Sequence, residues 1–402
     1  MFKQIVIRII AGIAAIIAIG AHAQNKYDTG ATDTEIKIGQ TMPYSGPASA
    51  YGTIGKTEQI YLKMINDQGG INGRKINLIS LDDAYSPPKT VEQVRKLVEQ
   101  DEVLFLWQTL GTPTNSAIHK YVNQKKIPHI FVSTGATKFN DPQNFPWTIS
   151  GNIAYQTEAQ IYARYLLKTK PVAKIAVLYQ NDDLGKDLLK GLKDGLGAKA
   201  SMIVAEASYE VADPTVDSQI LSLKDSGADT LFTFATPKFN SQAIRKVYDI
   251  GWKPLHFTSY VAASVSTVLA PAGLEKSVGL IAAQFYKDVN DPQWDNAPDV
   301  KAFREFMKKY YPTGDPKDSA NVYGFMQGHL LVQVLKQCGN DLTRENVMRQ
   351  AANLKNVELP MLLPGIKINT SPTDFFAFEQ LQLGKFDGKE WKTFGEIIDA
   401  HN

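Results

Sequence analysis

The chain has 402 residues, 44% hydrophobic and 21% charged, with 43 Lys+Arg against 41 Asp+Glu. That length exceeds what one hydrophobic core usually serves, so two domains are expected. Near-balance of charge excludes a basic surface built for nucleic acid or anionic lipid, and a single cysteine, Cys338, excludes an intramolecular disulfide.

The N-terminus reads as a targeting segment. Lys3 and Arg8 precede an uncharged run, Ile9 to Ile19, and Ala21-His22-Ala23 has the small-x-small pattern of a cleavage site. The run is short for a bilayer span. A secretory signal at 1–23 is expected, with the mature, formally neutral protein in the periplasm. No cysteine stands at the end of the signal to carry a lipid anchor.

After a polar linker from Gln24 to Thr34, the residues 35–39 alternate as a strand does. A Pro- and Gly-containing loop, 41–47, leads to a helix from Tyr51 to Asp67 that stops at Gly69-Gly70. A turn at 71–75 feeds a strand from Ile76 to Leu81, closed by Asp82-Asp83. Pro87-Pro88 opens a helix carrying Val91, Val94, Leu97 and Val98.

The next stretch organises the rest. Val103 to Trp107 is an apolar run suited to a buried parallel strand; it breaks at Gln108, Gly111 and Pro113, and a helical pattern begins with Ala117, Ile118, Tyr121 and Val122. A strand ending in a tight turn and a helix N-terminus is where open parallel sheets bind ligands, and the free N–H groups favour an anion. An ordinary β–α turn has the same look. A further strand, Ile127 to Val132, ends in Ser133-Thr-Gly-Ala-Thr137.

The pattern repeats in kind: helix 157–167, strand 174–179, a helix from Asn181-Asp-Asp-Leu-Gly185 to Leu196, strand 201–205, helix 216–225, strand 230–234, helix 240–250 and strand 255–258. Two such sets mean two doubly wound lobes. The final third differs: strand 279–284, helices 300–310, 322–337 and 344–352, and extended stretches 359–364 and 375–383. It is too little for a third core, so these elements are expected to return to the first two lobes.

Chemistry-bearing motifs are missing. No Gly-x-Ser-x-Gly, Walker, His-Glu-x-x-His or dinucleotide motif is present, and the histidines form no ligand cluster. His119 and His329 read as surface or capping residues. The adjacent acids Asp82-Asp83 and Asp182-Asp183 fit capping better than acid–base work. Hydroxyls and aromatics are abundant at strand C-termini instead: Tyr44 and Tyr51; Thr109, Thr112 and Thr114; Ser133, Thr134 and Thr137; Thr236, Phe239, Ser259 and Tyr260. Hydroxyls and backbone N–H groups hold a carboxylate, and aromatic faces cover the rest of a small ligand. No cofactor is expected.

Tyr44-Ser-Gly-Pro-x-x-x-Tyr51-Gly52, then Gly69-Gly-Ile-Asn-Gly-Arg74, a strand ending in Asp82-Asp83, and Val94-Arg-Lys-Leu-Val-Glu-Gln100 resemble the periplasmic solute-binding proteins of branched-chain amino acid type ABC transporters (type I, leucine-binding-protein-like), from about Glu35 to the end. The resemblance implies an α/β fold of two doubly wound parallel-sheet lobes joined by a three-segment hinge. It places 34–150 plus 283–363 in the N-terminal lobe and 151–282 plus 364–402 in the C-terminal one, with crossings near Gly151, near Ala282 and in 364–370. It implies a monomer that captures a solute between the lobes, closes by hinge motion, makes and breaks no bond, and delivers to an ABC permease.

Residue by residue, the resemblance maps carboxylate contacts onto Gly111 and Thr112 and onto Thr134, Gly135, Ala136 and Thr137, with Tyr51 and Tyr155 at aromatic positions; Thr236 joins them as a hydroxyl at a strand end. The second-lobe acid that holds an amino acid's ammonium aligns with Tyr260; Glu275 lies past that loop. A buried ammonium without a carboxylate is costly. The expected solute is therefore a small carboxylate lacking the ammonium, an aromatic acid included. A branched-chain or other amino-acid binder and a ligand-sensing receptor of the same fold remain alternatives, and an exported enzyme a third.

Overall fold

The computed structural model describes residues 25–400; the expected signal, 1–23, lies outside them. The first sheet has six strands in the order Phe376–Phe378, Thr148–Ile153, His129–Val132, Phe105–Trp107, Glu35–Met42, Lys75–Asp82, all paired parallel. The second has seven: Trp391–Asp399, Gln380–Phe386, Ile281–Gln284, Leu255–Thr258, Thr230–Phe234, Ile175–Gln180, Ile203–Tyr209. It is antiparallel only around Gln380–Phe386.

Central strands such as Phe105–Trp107 and Thr230–Phe234 are buried at every residue. Helices cover both faces there, so a continuous apolar run is the stable choice. The edge strand Ile203–Tyr209 alternates half-buried and exposed instead. Parallel pairing carries every such strand toward one edge of its sheet, so the loops that follow them gather there, and the two loop edges face each other.

The chain passes between the sheets three times. It leaves the first after Ile153, leaves the second after Gln284, and returns through Glu379, the single residue between Phe376–Phe378 and Gln380–Phe386. The third passage corrects the expectation of 364–370. What reads as one extended run from 375 to 383 is two strands in different sheets, and pattern cannot show where a continuous strand changes partners. The stretch 359–364 forms no strand; it meets the second passage by one bridge, Tyr286 to Leu362. The strand Thr148–Ile153 lacks an apolar run and was not expected.

In the final third, helices Pro298–Tyr310 and Ser319–Cys338 return to the first lobe, where Phe306 and Phe325 pack on Tyr61 of helix Gly52–Asp67. Cys338 ends its helix and is buried. His119 does not: it is buried between Phe139 and Phe145, stacked on the latter at 4.0 Å between centroids. Burial pulls its pKa down to about 4, so the ring is neutral at pH 7.

Candidate functional site

The site lies where the loop edges of the two sheets meet. On the first lobe, the chain leaves Phe105–Trp107 and turns at Gly111, whose φ of +108° suits glycine alone; a Cβ there would lie 2.6 Å from the Tyr85 ring. Helix Thr112–Gln124 starts at once, with Pro113 in its first turn. Asn115 folds back to lock the turn: its amide donates to the Thr109 and Gly111 carbonyls at 2.8 and 2.7 Å and accepts from the Thr109 hydroxyl at 2.6 Å. The first N–H groups of that helix have no intrahelical acceptor and carry the positive end of its dipole.

The neighbouring loop follows His129–Val132. The Thr134 and Thr112 hydroxyls are 2.7 Å apart. Tyr155, first residue of helix Tyr155–Thr169, lays its ring over Gly135 so closely that a Cβ there would lie 2.9 Å from it. Its hydroxyl takes bonds from Thr134, the Gly135 N–H and Thr112, and burial raises its pKa to about 12. It stays a neutral phenol.

The second-lobe wall centres on Tyr260, just past Leu255–Thr258. The Tyr260 N–H donates to Glu158 at 2.7 Å, the Ser259 and Tyr162 hydroxyls donate to the same carboxylate at 2.9 and 2.7 Å, and the Tyr260 hydroxyl donates to the Ile153 carbonyl at 2.9 Å. Burial raises Glu158 to about 7 despite those donors. The loop is thus tied both to helix Tyr155–Thr169 and to the first passage between lobes.

The lobes touch around this core. The Tyr51 hydroxyl donates to the Val261 carbonyl at 3.0 Å; Ser264 and Ser266 donate to Asp318 and Asp315 at 2.9 and 2.7 Å. On the other rim, the Thr137 N–H and hydroxyl donate to Asp187 at 2.7 and 2.8 Å, and Lys138 pairs with Asp183 at 3.0 Å.

Between them is a cavity of about 80 Å³. Its aromatic lining is Tyr51, Tyr85, Tyr155, Tyr260, Phe285, Tyr286 and Tyr323. Polar lining comes from Gly111, Thr112, Ser133, Asn152, Ser264, Thr267 and Ser319. Among the described residues, no acid, lysine, arginine or histidine lines it. Thr112, Tyr155 and Ser319 are each the first residue of a helix, so several dipole ends converge on a space without a formal charge.

Of the residues singled out by sequence, Tyr51, Gly111, Thr112, Tyr155 and Tyr260 line this cavity; Thr134, Gly135, Ala136, Thr137 and Thr236 do not. The Tyr155 ring covers Thr134 and Gly135, and Ala136 is buried behind them. Thr137 faces the rim and Asp187. Thr236 turns inward to Tyr209 and Gln180. Glu275 is exposed and absent from the lining. Tyr85, Asn152, Tyr286 and Tyr323 were missed. Tyr85 follows the Asp82-Asp83 strand end, a signal that could have found it; Tyr323 sits inside an apolar helix, which hides it.

A family model for periplasmic binding proteins matches residues 35–390. The chain belongs to that family. Among its relatives is "Leu/Ile/Val-binding protein homolog 1" of Brucella suis biovar 1 (strain 1330), 23% identical over 351 residues, 86% of this chain and 88% of that one. Two solved periplasmic binding proteins share the fold. A branched-chain amino acid ABC transporter protein from Thermus thermophilus, with bound valine, superposes with a TM-score of 0.82 at 15% identity, covering 92% of this chain and 97% of that one. A solute-binding protein of an ABC transporter from Rhodopseudomonas palustris BisB5, in complex with 3,4-dihydroxybenzoic acid, gives 0.75 at 20%, covering 91% and 98%. The fold is therefore that of type I periplasmic binding proteins, two α/β lobes as the sequence implies.

Proposed function

We propose that this periplasmic binding protein is exported, works as a monomer, and captures a small carboxylate lacking an α-ammonium, an aromatic acid fitting best, for an ABC permease. The observation that carries this is the lining of the cavity: many rings, hydroxyls, converging helix N-termini, and no carboxylate. A zwitterionic amino acid would bury its ammonium with no counter-charge, a cost that few surroundings offset. A carboxylate meets the opposite situation, with first-turn N–H groups and the Thr112 hydroxyl supplying donors. Tyr155 and Tyr260, tilted against each other at 6.2 Å between centroids, form an aromatic wall on which a flat apolar body can pack. Bound solute bridges the walls and favours the closed arrangement over an open one. Relatives of this fold are described with bound valine and with bound 3,4-dihydroxybenzoic acid, so the fold admits either class, and the lining favours the second.

Calorimetric titration with benzoate, its hydroxylated forms, leucine and valine tests the reading. Benzoates are expected to bind and the amino acids to bind at least about a hundredfold more weakly, the cost of an unpaired buried charge. Tight leucine binding with no response to any aromatic acid would overturn it.

A further inference from the structure

Asn152 is the penultimate residue of strand Thr148–Ile153, just before the first passage between lobes, and lines the cavity. It is 5% exposed, and its Oδ1 is buried without a hydrogen-bond partner. A side-chain amide offers two donors and an acceptor, and native interiors seldom leave these unmet. The neighbouring unmet side-chain atoms are acceptors. Gln108 spends its amide N–H on the Phe131 carbonyl, and Gln327 spends its own on the Gly151 carbonyl at 3.0 Å; the Oε1 atoms of both are themselves buried and unpartnered. The Tyr323 hydroxyl also points at the Gly151 carbonyl, at 3.3 Å. This part of the lobe is rich in oxygens that want a hydrogen.

We propose that Asn152 is a specificity-determining residue, and that the solute carries, besides its carboxylate, a neutral donor such as a hydroxyl that pairs with the Asn152 amide. The inference rests on the aromatic-acid reading and sharpens it from a carboxylate to a hydroxylated carboxylate. A second carboxylate is disfavoured at this position, since it would set anionic lone pairs against amide oxygens. A hydroxyl both donates and accepts, which is the complement of an amide.

The experiment compares benzoate with the three monohydroxybenzoates by calorimetry on the natural protein and on Asn152→Leu, which keeps the branched shape, and Asn152→Ala. At least one hydroxybenzoate should bind about tenfold or more tightly than benzoate, and both variants should bring that ratio near one by weakening the hydroxybenzoate more than benzoate. Because the buried Oδ1 has no partner to lose, Asn152→Leu without solute should melt no lower than the natural protein. A ratio near one in the natural protein, the result if only water meets the amide, overturns the proposal while the aromatic-acid reading stands. So does a ratio that survives in the variants, or a marked drop in melting temperature for Asn152→Leu. Failure of benzoate and all three hydroxybenzoates to bind overturns the aromatic-acid reading, and this inference with it.

Discussion

The two walls of the cleft differ in kind. The first lobe presents Gly111, Thr112, Ser133 and Asn152: a helix start, hydroxyls and an amide. The second presents Leu184, Pro237, Tyr260, Val261 and Val268, mostly carbon, and adds the hydroxyls of Ser264 and Thr267. The helix start and hydroxyls of the first wall can hold a carboxylate before the lobes meet. The other wall then adds apolar contact and removes water, which strengthens the bonds already made. On the proposed reading, charge recognition falls chiefly to the first lobe and shape recognition to the second.

Separate substitutions on each wall can break that division. Thr112→Val removes a donor from the first wall while keeping its volume. A hydrogen bond to a charged group contributes about 1.5–3 kcal/mol, so benzoate affinity should fall roughly 10- to 150-fold, whereas neutral benzamide should change little. Tyr260→Ala acts on the second wall and should weaken benzoate and benzamide alike, by about tenfold, through lost ring contact. Tyr260→Phe separates the ring from the hydroxyl bond to Ile153. If Thr112→Val weakened both ligands equally, charge would not be read on the first wall.

The sequence showed the first wall better than the second, for physical reasons. The turn at Gly111 was legible because an apolar strand, a glycine and a proline-opened helix are local signals. Two lobes were legible from alternating periods, and the family from Gly69 to Arg74. Tyr323 and Asn152 were not. One lies within a helix whose residues are mostly buried, and the other ends a strand with no apolar run. Both reach the cavity only through the packing of distant segments. Thr134 and Gly135 mark the converse error: the loop was correctly placed, but a ring from the next helix covers it.

The second wall carries a further distinction, because its central residue hangs on a titrating group. Glu158, at about 7, has a folded pKa above its ordinary value of 4.5. Such an acid takes up a proton on folding, so stability is greatest below the ordinary carboxyl range. It declines as pH rises from there through about 7, with a slope of at most about 1.4 kcal/mol per pH unit. Melting curves of the solute-free protein between pH 5 and 8 should show the decline, and Glu158→Gln should lessen it. Burial also raises Glu58 in the first lobe, so part of the slope should survive in Glu158→Gln, and a slope left wholly undiminished would place its source in the first lobe.

The smallest effect is expected at the rim. Lys138 and Asp183 join the lobes, but their side chains are 43% and 51% exposed. An exposed pair contributes about 0–1 kcal/mol and is screened by salt. Lys138→Ala should therefore speed solute release less than about fivefold at low ionic strength, and not measurably at high. Asp187 is better placed, because it accepts both the N–H and the hydroxyl of Thr137. Stopped-flow release rates at two salt concentrations decide between rim and walls. A salt-insensitive acceleration of tenfold or more in Lys138→Ala would mean that closure is held at the edge, and the division of labour between the walls would lose its basis.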